Sequence, residues 1–294
     1  MEIDFRQITL EDRQAVESIL KSSDRRFCEY TFGNMYCWGA GAGLCLSVSD
    51  GLLVFGYPES GKLYMPVGER ERVLSAVDFL LGKYENLSLL SVSEDDAELL
   101  GGAFEEKFDF IEDTRAFDYI YESQRLQTLS GKKLASKRNH INAFISDGEW
   151  RVERITEKNR DELLAFNRKW CRDLCGHMSG SLKTEMCAAE RGIVNFDKLG
   201  FSGLMLYKND ALAAYSYGEP INGDTFCVHV EKADSDVRGA YQMINREFVC
   251  AFCKDYEYVN REDDAGDEGL RRAKQSYCPT DIGKKFIARR RHGA

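Results

Sequence analysis

The chain repeats itself, and that limits its possible folds more than any single motif does. FRQITLEDRQAV (Phe5–Val16) and VERITEKNRDEL (Val152–Leu163) share Ile-Thr, then Asp or Asn followed by Arg three residues on, then an apolar position. GLCLSVSDGLLVFGYP (Gly43–Pro58) and GLMLYKNDALAAYSYGEP (Gly203–Pro220) share Gly, Leu, Leu, Asp and Leu, then aromatics at Phe55/Tyr215 and Tyr57/Tyr217. SEDDAELL (Ser93–Leu100) and REDDAGDEGL (Arg261–Leu270) follow in the same order. The offset drifts from 147 (Ile8 to Ile155) to 160 (Gly43 to Gly203) and 168 (Glu94 to Glu262), as loop insertions would make it. A duplicated unit must fold twice by one plan, so each half has to read as the same succession of elements.

It does. A short strand (Ile3–Ile8; Trp150–Ile155) leads to a Thr-capped helix, where Val16, Ile19 and Leu20 keep a helical stripe. A hairpin follows, turning at Ser-Asp-Gly in the first copy and Lys-Asn-Asp in the second. Next come a helix (Arg70–Lys83; Ala240–Lys254), a strand (Leu87–Val92; Tyr256–Asn260), a short helix and a last strand. Strands alternating with helices after an antiparallel hairpin predict an α/β (α+β) class with mixed sheets. We read residues 1–125 as one domain, 126–149 as a basic linker helix and 150–294 as a second domain.

Bulk composition excludes several classes. The 294 residues are 43% hydrophobic and 30% charged, enough to bury real cores. A net charge of -9 disfavours uniform binding to nucleic acid or anionic membrane, while leaving room for a local basic patch. The polar start MEIDFRQITLEDRQ predicts no signal peptide, and no apolar window predicts a transmembrane segment, so the expected location is cytoplasmic and the ten cysteines reduced. Cys250 and Cys253 in CAFC, and Cys175 near His177, have metal-pair spacing. A second matching pair is missing and Cys250–Cys253 lies in an apolar run, so no metal is assigned.

The element order resembles the Gcn5-related N-acetyltransferase (GNAT) fold, present twice. A tandem pair is the architecture of Fem-type aminoacyl-tRNA transferases and of the catalytic domain of phosphatidylglycerol lysyltransferases. FDYIYESQRLQTLSGKKLASKRNHINAF (Phe117–Phe144) and YVNREDDAGDEGLRRAKQSYCPT (Tyr258–Thr280) look specifically like the soluble bacterial family carrying that lysyltransferase C-terminal domain. The resemblance implies transfer of an acyl or aminoacyl group to an amine or hydroxyl. The co-substrate would be aminoacyl-tRNA or acyl-CoA, and ordinary acyl-CoA N-acetyl transfer or a non-catalytic binding module are the alternatives. The resemblance leaves the acceptor open between a small molecule and a lipid head group.

In that fold the carrier's phosphates lie at the start of the helix after the hairpin, where free N–H groups and the helix dipole favour anions. The second copy has Arg238, Gly239 and Ala240 there; the first has Gly68 followed by Glu69 and Glu71, which repel phosphate. The ligand is therefore assigned to the second copy and a scaffold role to the first. In the linker, Lys133, Lys137, His140 and Phe144 share one helical stripe and Leu134, Arg138, Ile141 and Ile145 the next. A solvated basic face is the plainer reading. Lys133, Lys137 and Arg138 as a phosphate patch for transfer RNA, a lipid head group or another carrier is the sharper one. The basic tail GKKFIARRRHGA reads as solubilising.

Chemistry is expected where the strand Tyr256–Asn260 ends, because ligands of open α/β sheets lie off that edge. Glu262 and Asp263 follow it directly, and Leu270, Ala273, Lys274 and Tyr277 share a face of the next helix. Lys274 should be drawn inward and needs an anionic partner, Glu262 or Asp263. An attacking amine must lose a proton and a leaving alkoxide must gain a cation or a proton. Glu262 is assigned as base or ammonium binder, Asp263 as its companion, Lys274 as the leaving-group or oxyanion cation and Tyr277 as proton donor. An ion-paired strand–helix junction is the plain alternative. His229, read with the same facing as Glu231, is a second base of lower rank, and His177 sits in a loop of small residues that reads as a lid.

Overall fold

The computed structural model describes residues 2–174 and 188–291. Two compact units make up the chain: Met1–Asp118 with Asp263–Asp267 and Ile282–Ala294, and Tyr119–Glu262 with Glu268–Asp281.

Each unit is built on a seven-stranded mixed sheet. The first holds β1 (Arg6–Gln7), β2 (Cys45–Ser49), β3 (Leu52–Tyr57), β4 (Lys62–Tyr64), β5 (Ser88–Val92) and β6 (Phe108–Glu112). The second holds β7 (Asp118–Glu122), β8 (Trp150–Arg154), β9 (Ser202–Lys208), β10 (Ala211–Pro220), β11 (Thr225–Ala233), β12 (Tyr258–Asn260) and β13 (Asp281–Gly283). The chain's last strand, β14 (Phe286–Arg290), belongs to the first sheet. The spatial orders are β1-β2-β3-β4-β5-β14-β6 and β8-β9-β10-β11-β12-β7-β13. Strand for strand these are one topology. The repeat is thus structural, with one exception to chain order: each copy's final strand pairs in the other copy's sheet. β14 runs antiparallel to both β5 and β6, and β7 runs antiparallel to β12. Contiguous boundaries at 125 and 150 do not describe this exchange, because pairing, not position along the chain, decides which sheet a strand completes.

The shared sequence signature has a local cause. The Ile-Thr-x-x-Asp/Asn motif is a helix start: Asp12 Oδ2 accepts from the Thr9 N–H at 2.7 Å, and Asn159 Oδ1 from the Thr156 N–H at 2.8 Å. In the first unit the helix Arg70–Lys83 buries Val73, Ala76, Val77, Leu80 and Leu81 against Leu63 and Leu89, with Ala288 of β14 in the same core. In the second, the helix Ala240–Phe248 buries Ala240, Met243, Ile244 and Phe248, then widens into a π turn over Val249–Cys253. That turn leaves Cys250 exposed and Cys253 buried. The described cysteines are free thiols. Among the described residues no helix is long and apolar enough to cross a membrane.

Lys285, just before β14, is held by charge. It is 1% exposed, and its ammonium lies 2.7 Å from Glu29 Oε2 and 2.8 Å from Asp118 Oδ1. Burial alone would lower its pKa, but Asp118, the Cys28 sulfur and Glu29 outweigh burial and hold it well above the ordinary lysine value.

Candidate functional site

Both sheets contain one parallel pair, β4 beside β5 and β11 beside β12. In the first unit the gap beyond that pair is closed. The Tyr30 hydroxyl lies 3.2 Å from both the Met65 and the Ser91 carbonyl oxygens, and its ring is packed edge-on against Phe55. Glu69 stands at the N-cap position of the following helix and Glu71 lies in its first turn.

In the second unit the register of β11 on β12 ends at Cys227 opposite Asn260. Just beyond it, β11 carries a bulge. Tyr217 faces Val230 while the next residue, Gly218, faces Val228, so His229 is the extra residue. Gly218 is required there, since a Cβ would stand 1.9 Å from the Cys227 carbonyl oxygen. The bulge breaks the two-residue alternation, so His229 and Glu231 do not share a facing. His229 turns toward Glu219 and Glu262, whereas Glu231 bonds Arg261 at 2.9 Å and Asn245 at 2.8 Å.

The His229 ring is completely buried. Its Nε2 lies 3.0 Å from Glu219 Oε1, its Nδ1 2.8 Å from Glu262 Oε1 and 3.5 Å from Cys227 Sγ, and Phe201 packs at 5.5 Å between centroids. Burial opposes its charge. The Cys227 sulfur and the hydrogen bonds to the two carboxylates outweigh that and hold its pKa well above the ordinary imidazole value. The imidazolium then donates from both nitrogens, one bond to each glutamate. Of the two acids Glu262 is the more accessible, with its side chain 16% exposed against 7% for Glu219.

Glu262 also holds an uncommon backbone. Its φ is +58°, in the left-handed region that costs a β-carbon residue energy. The Asn260 side chain accepts its N–H at 2.7 Å, and its carbonyl accepts the Tyr119 N–H at 3.1 Å, so the strained turn is fixed from both sides.

The remaining expected site residues fall as follows. Lys274 is buried, but Leu270 and Ala273, expected to turn that helix face inward, are exposed; its ammonium donates to the Arg261 carbonyl at 2.5 Å, one peptide from Glu262. Tyr277 is buried under Arg261, 4.7 Å from its ring centroid, and burial pushes its phenol well above the ordinary value. Asp263 belongs to the first unit, where its carboxylate lies near Cys28 and Asp118. Arg238, Gly239 and Ala240 line a cleft of about 300 Å³ with His140, Asp234 and Asp236. Gly239 has φ +84°, and a Cβ there would meet the His140 carbonyl oxygen at 2.3 Å, so this glycine seats the basic helix Ala135–Ser146. Lys133, in the 3-10 turn just before that helix, is exposed. Lys137 lies 4.3 Å over the Tyr277 ring, where burial and then the Arg261 charge lower its pKa. Arg138 is tied to the Leu129 and Gly131 carbonyls. Cys175 and His177 lie outside the described residues.

Sequence reasoning missed Glu219, Cys227 and Asn260. The available signal was an acid inside the apolar strand LAAYSYGEP and a Cys-x-His pair on one strand.

The comparisons fit this architecture. The family described as "Phosphatidylglycerol lysyltransferase, C-terminal" matches residues 20–289. A crystal structure of a conserved protein of unknown function from Bacteroides thetaiotaomicron is similar over 99% of this chain and 100% of its own, with 37% identity and a TM-score of 0.92. L-PGS from Bacillus licheniformis shares the fold at 14% identity and TM-score 0.66, over 96% of this chain and 93% of its own. FemX does so at 10% and 0.58, over 97% of each chain. Two mixed sheets of one topology, each with its parallel pair after an antiparallel hairpin, are tandem GNAT-like units, and the chain belongs to the phosphatidylglycerol lysyltransferase C-terminal family.

Proposed function

We propose that the chain is an acyltransferase that moves an aminoacyl group from a phosphate-bearing carrier, aminoacyl-tRNA in the first instance, to an amine or hydroxyl acceptor. Glu262 is its base. The observation that carries this reading is the strained, doubly anchored Glu262 turn at the end of the parallel pair, with its carboxylate aimed by the buried His229. Family membership and the Fem-type resemblance support the aminoacyl donor.

The acceptor attacks the ester carbonyl carbon and its proton passes to the Glu262 carboxylate. The carbon–oxygen bond to the carrier then breaks, and the leaving alkoxide takes a proton from Glu262 or from solvent. His229 and Glu219 act through Glu262 by fixing its rotamer. Lys274 is a positioning residue on the peptide that enters the turn. The cleft with Arg238 is the candidate carrier end, although Asp234 and Asp236 in its lining disfavour a dense phosphate cluster.

The test is an assay of labelled aminoacyl-tRNA against a panel of amines and hydroxylated head groups, beside a melting-temperature screen with coenzyme A. Glu262→Gln should lower the transfer rate by ~10²-fold or more with an unchanged fold. Full activity in that variant discards the base assignment. Stabilisation by coenzyme A with none by transfer RNA moves the donor to acyl-CoA.

A further inference from the structure

Three donor atoms of different kinds converge at the bulge: Cys227 Sγ, His229 Nδ1 and Glu262 Oε1, all within 4.8 Å of one another. Their separations are 3.5 Å from sulfur to nitrogen, 2.8 Å from nitrogen to oxygen and 3.8 Å from sulfur to oxygen. A tetrahedral zinc-class ion with ordinary bond lengths sets these edges at about 3.6, 3.4 and 3.6 Å. The two sulfur edges already agree to about 0.2 Å. The third is short because a hydrogen bond spans it, and it has to open by about 0.6 Å to admit an ion.

We propose that Cys227, His229 and Glu262 form a site for one zinc-class divalent cation, and that loading it silences transfer by occupying the base. The second clause rests on the function proposed above; the site itself does not.

The surroundings match a metal centre. The other ring nitrogen of His229 bonds Glu219, and a carboxylate behind a ligating histidine fixes its tautomer and orientation. Two ligands stand on β11, and the third is fixed by Asn260, so the trio is rigid. Thiolate with imidazole selects zinc or cobalt(II) over magnesium or calcium. Imidazole and thiolate bind a metal only without their protons, so loading releases protons to solvent and is favoured as pH rises. The first unit offers a contrast. Cys28, Asp118 and Asp263 converge in the same way, but the Lys285 ammonium already stands 2.8 Å from Asp118 and 3.7 Å from Cys28 Sγ. That cluster carries its own cation.

The experiment is a cobalt(II) titration of the chelator-treated full chain, following the thiolate-to-cobalt charge-transfer band, with zinc as competitor. The wild type should bind one equivalent, and zinc should bleach the band. Cys227→Ser should abolish it, Cys250→Ser at the exposed thiol should retain it, and Glu219→Gln should weaken binding ~10–100-fold. If Cys227→Ser does not fold, His229→Asn serves in its place. A band that survives in Cys227→Ser or His229→Asn, or no band at all, overturns the site. Zinc should inhibit aminoacyl transfer over the same concentration range, and transfer unaffected by a bound ion overturns the silencing. A chain that binds cobalt through Cys227 but transfers nothing removes the proposed function and keeps the site. A chain that transfers but binds no cobalt removes the site alone.

Discussion

Lys285 and Asp12 show how single side chains set the tolerances of the first unit. The Lys285 ammonium is enclosed by Glu29 and Asp118, so Lys285→Met takes the cation from the buried Asp118 and the half-buried Glu29. Removing one partner of a buried pair costs about 3–5 kcal/mol, and urea unfolding should show a loss of that size. Asp12 is paired with Arg6 and accepts the Thr9 N–H. Burial would raise its pKa, but those bonds prevail and lower it. A carboxyl depressed in the folded state adds stability above its unfolded pKa, about 3.9, and loses it as pH falls through the folded value. Wild type should therefore exceed Asp12→Asn by a constant amount at neutral pH, and the gap should close on acidification below about pH 4, as read from melting curves across pH. At this scale legibility was uneven. Glu262 could be picked from its place at a strand end. Glu219 could not, because its place depends on a one-residue bulge that no local pattern announces, and the same bulge undoes the expected common facing of His229 and Glu231.

Between elements, close packing explains residues that sequence alone assigns to binding. At Gly239, expected as room for phosphate, the missing side chain also lets the His140 carbonyl approach. Gly239→Ala should lift the helix Ala135–Ser146 away from the helix Ala240–Phe248. Its melting temperature should drop by at least ~2 °C, with faster amide exchange at Ile141 and Phe144. Arg138, a member of the expected basic patch, bonds the carbonyls that close the turn before its own helix. Elements with strong local signals were legible for the same physical reason. Arg70–Lys83 keeps its helical stripe, and both Thr starts are capping motifs whose chemistry is contained within four residues. A carbonyl contributed from about a hundred residues away leaves no such trace.

In the molecule as a whole, duplication was legible and the exchange of final strands was not. FIARR of β14 and DYIYE of β7 carry the β-branched and aromatic residues that suit many strands, and nothing in either specifies which sheet it completes. Deleting residues 284–294 removes β14 from between β5 and β6, and Lys285 with it. The truncated chain should lose cooperative unfolding of the first unit, as near-ultraviolet circular dichroism and limited proteolysis would show. A retained two-sided melting transition would mean that β6 can close the gap on β5 unaided. The exchange also orders events during synthesis. Domains generally fold as they emerge from the ribosome, N-terminal first. Here the opening half leaves the exit tunnel with a slot in its sheet whose filler follows strands β7 to β13 in the chain, so it must wait, incomplete and exposed to chaperones, until the second sheet's strands have been translated.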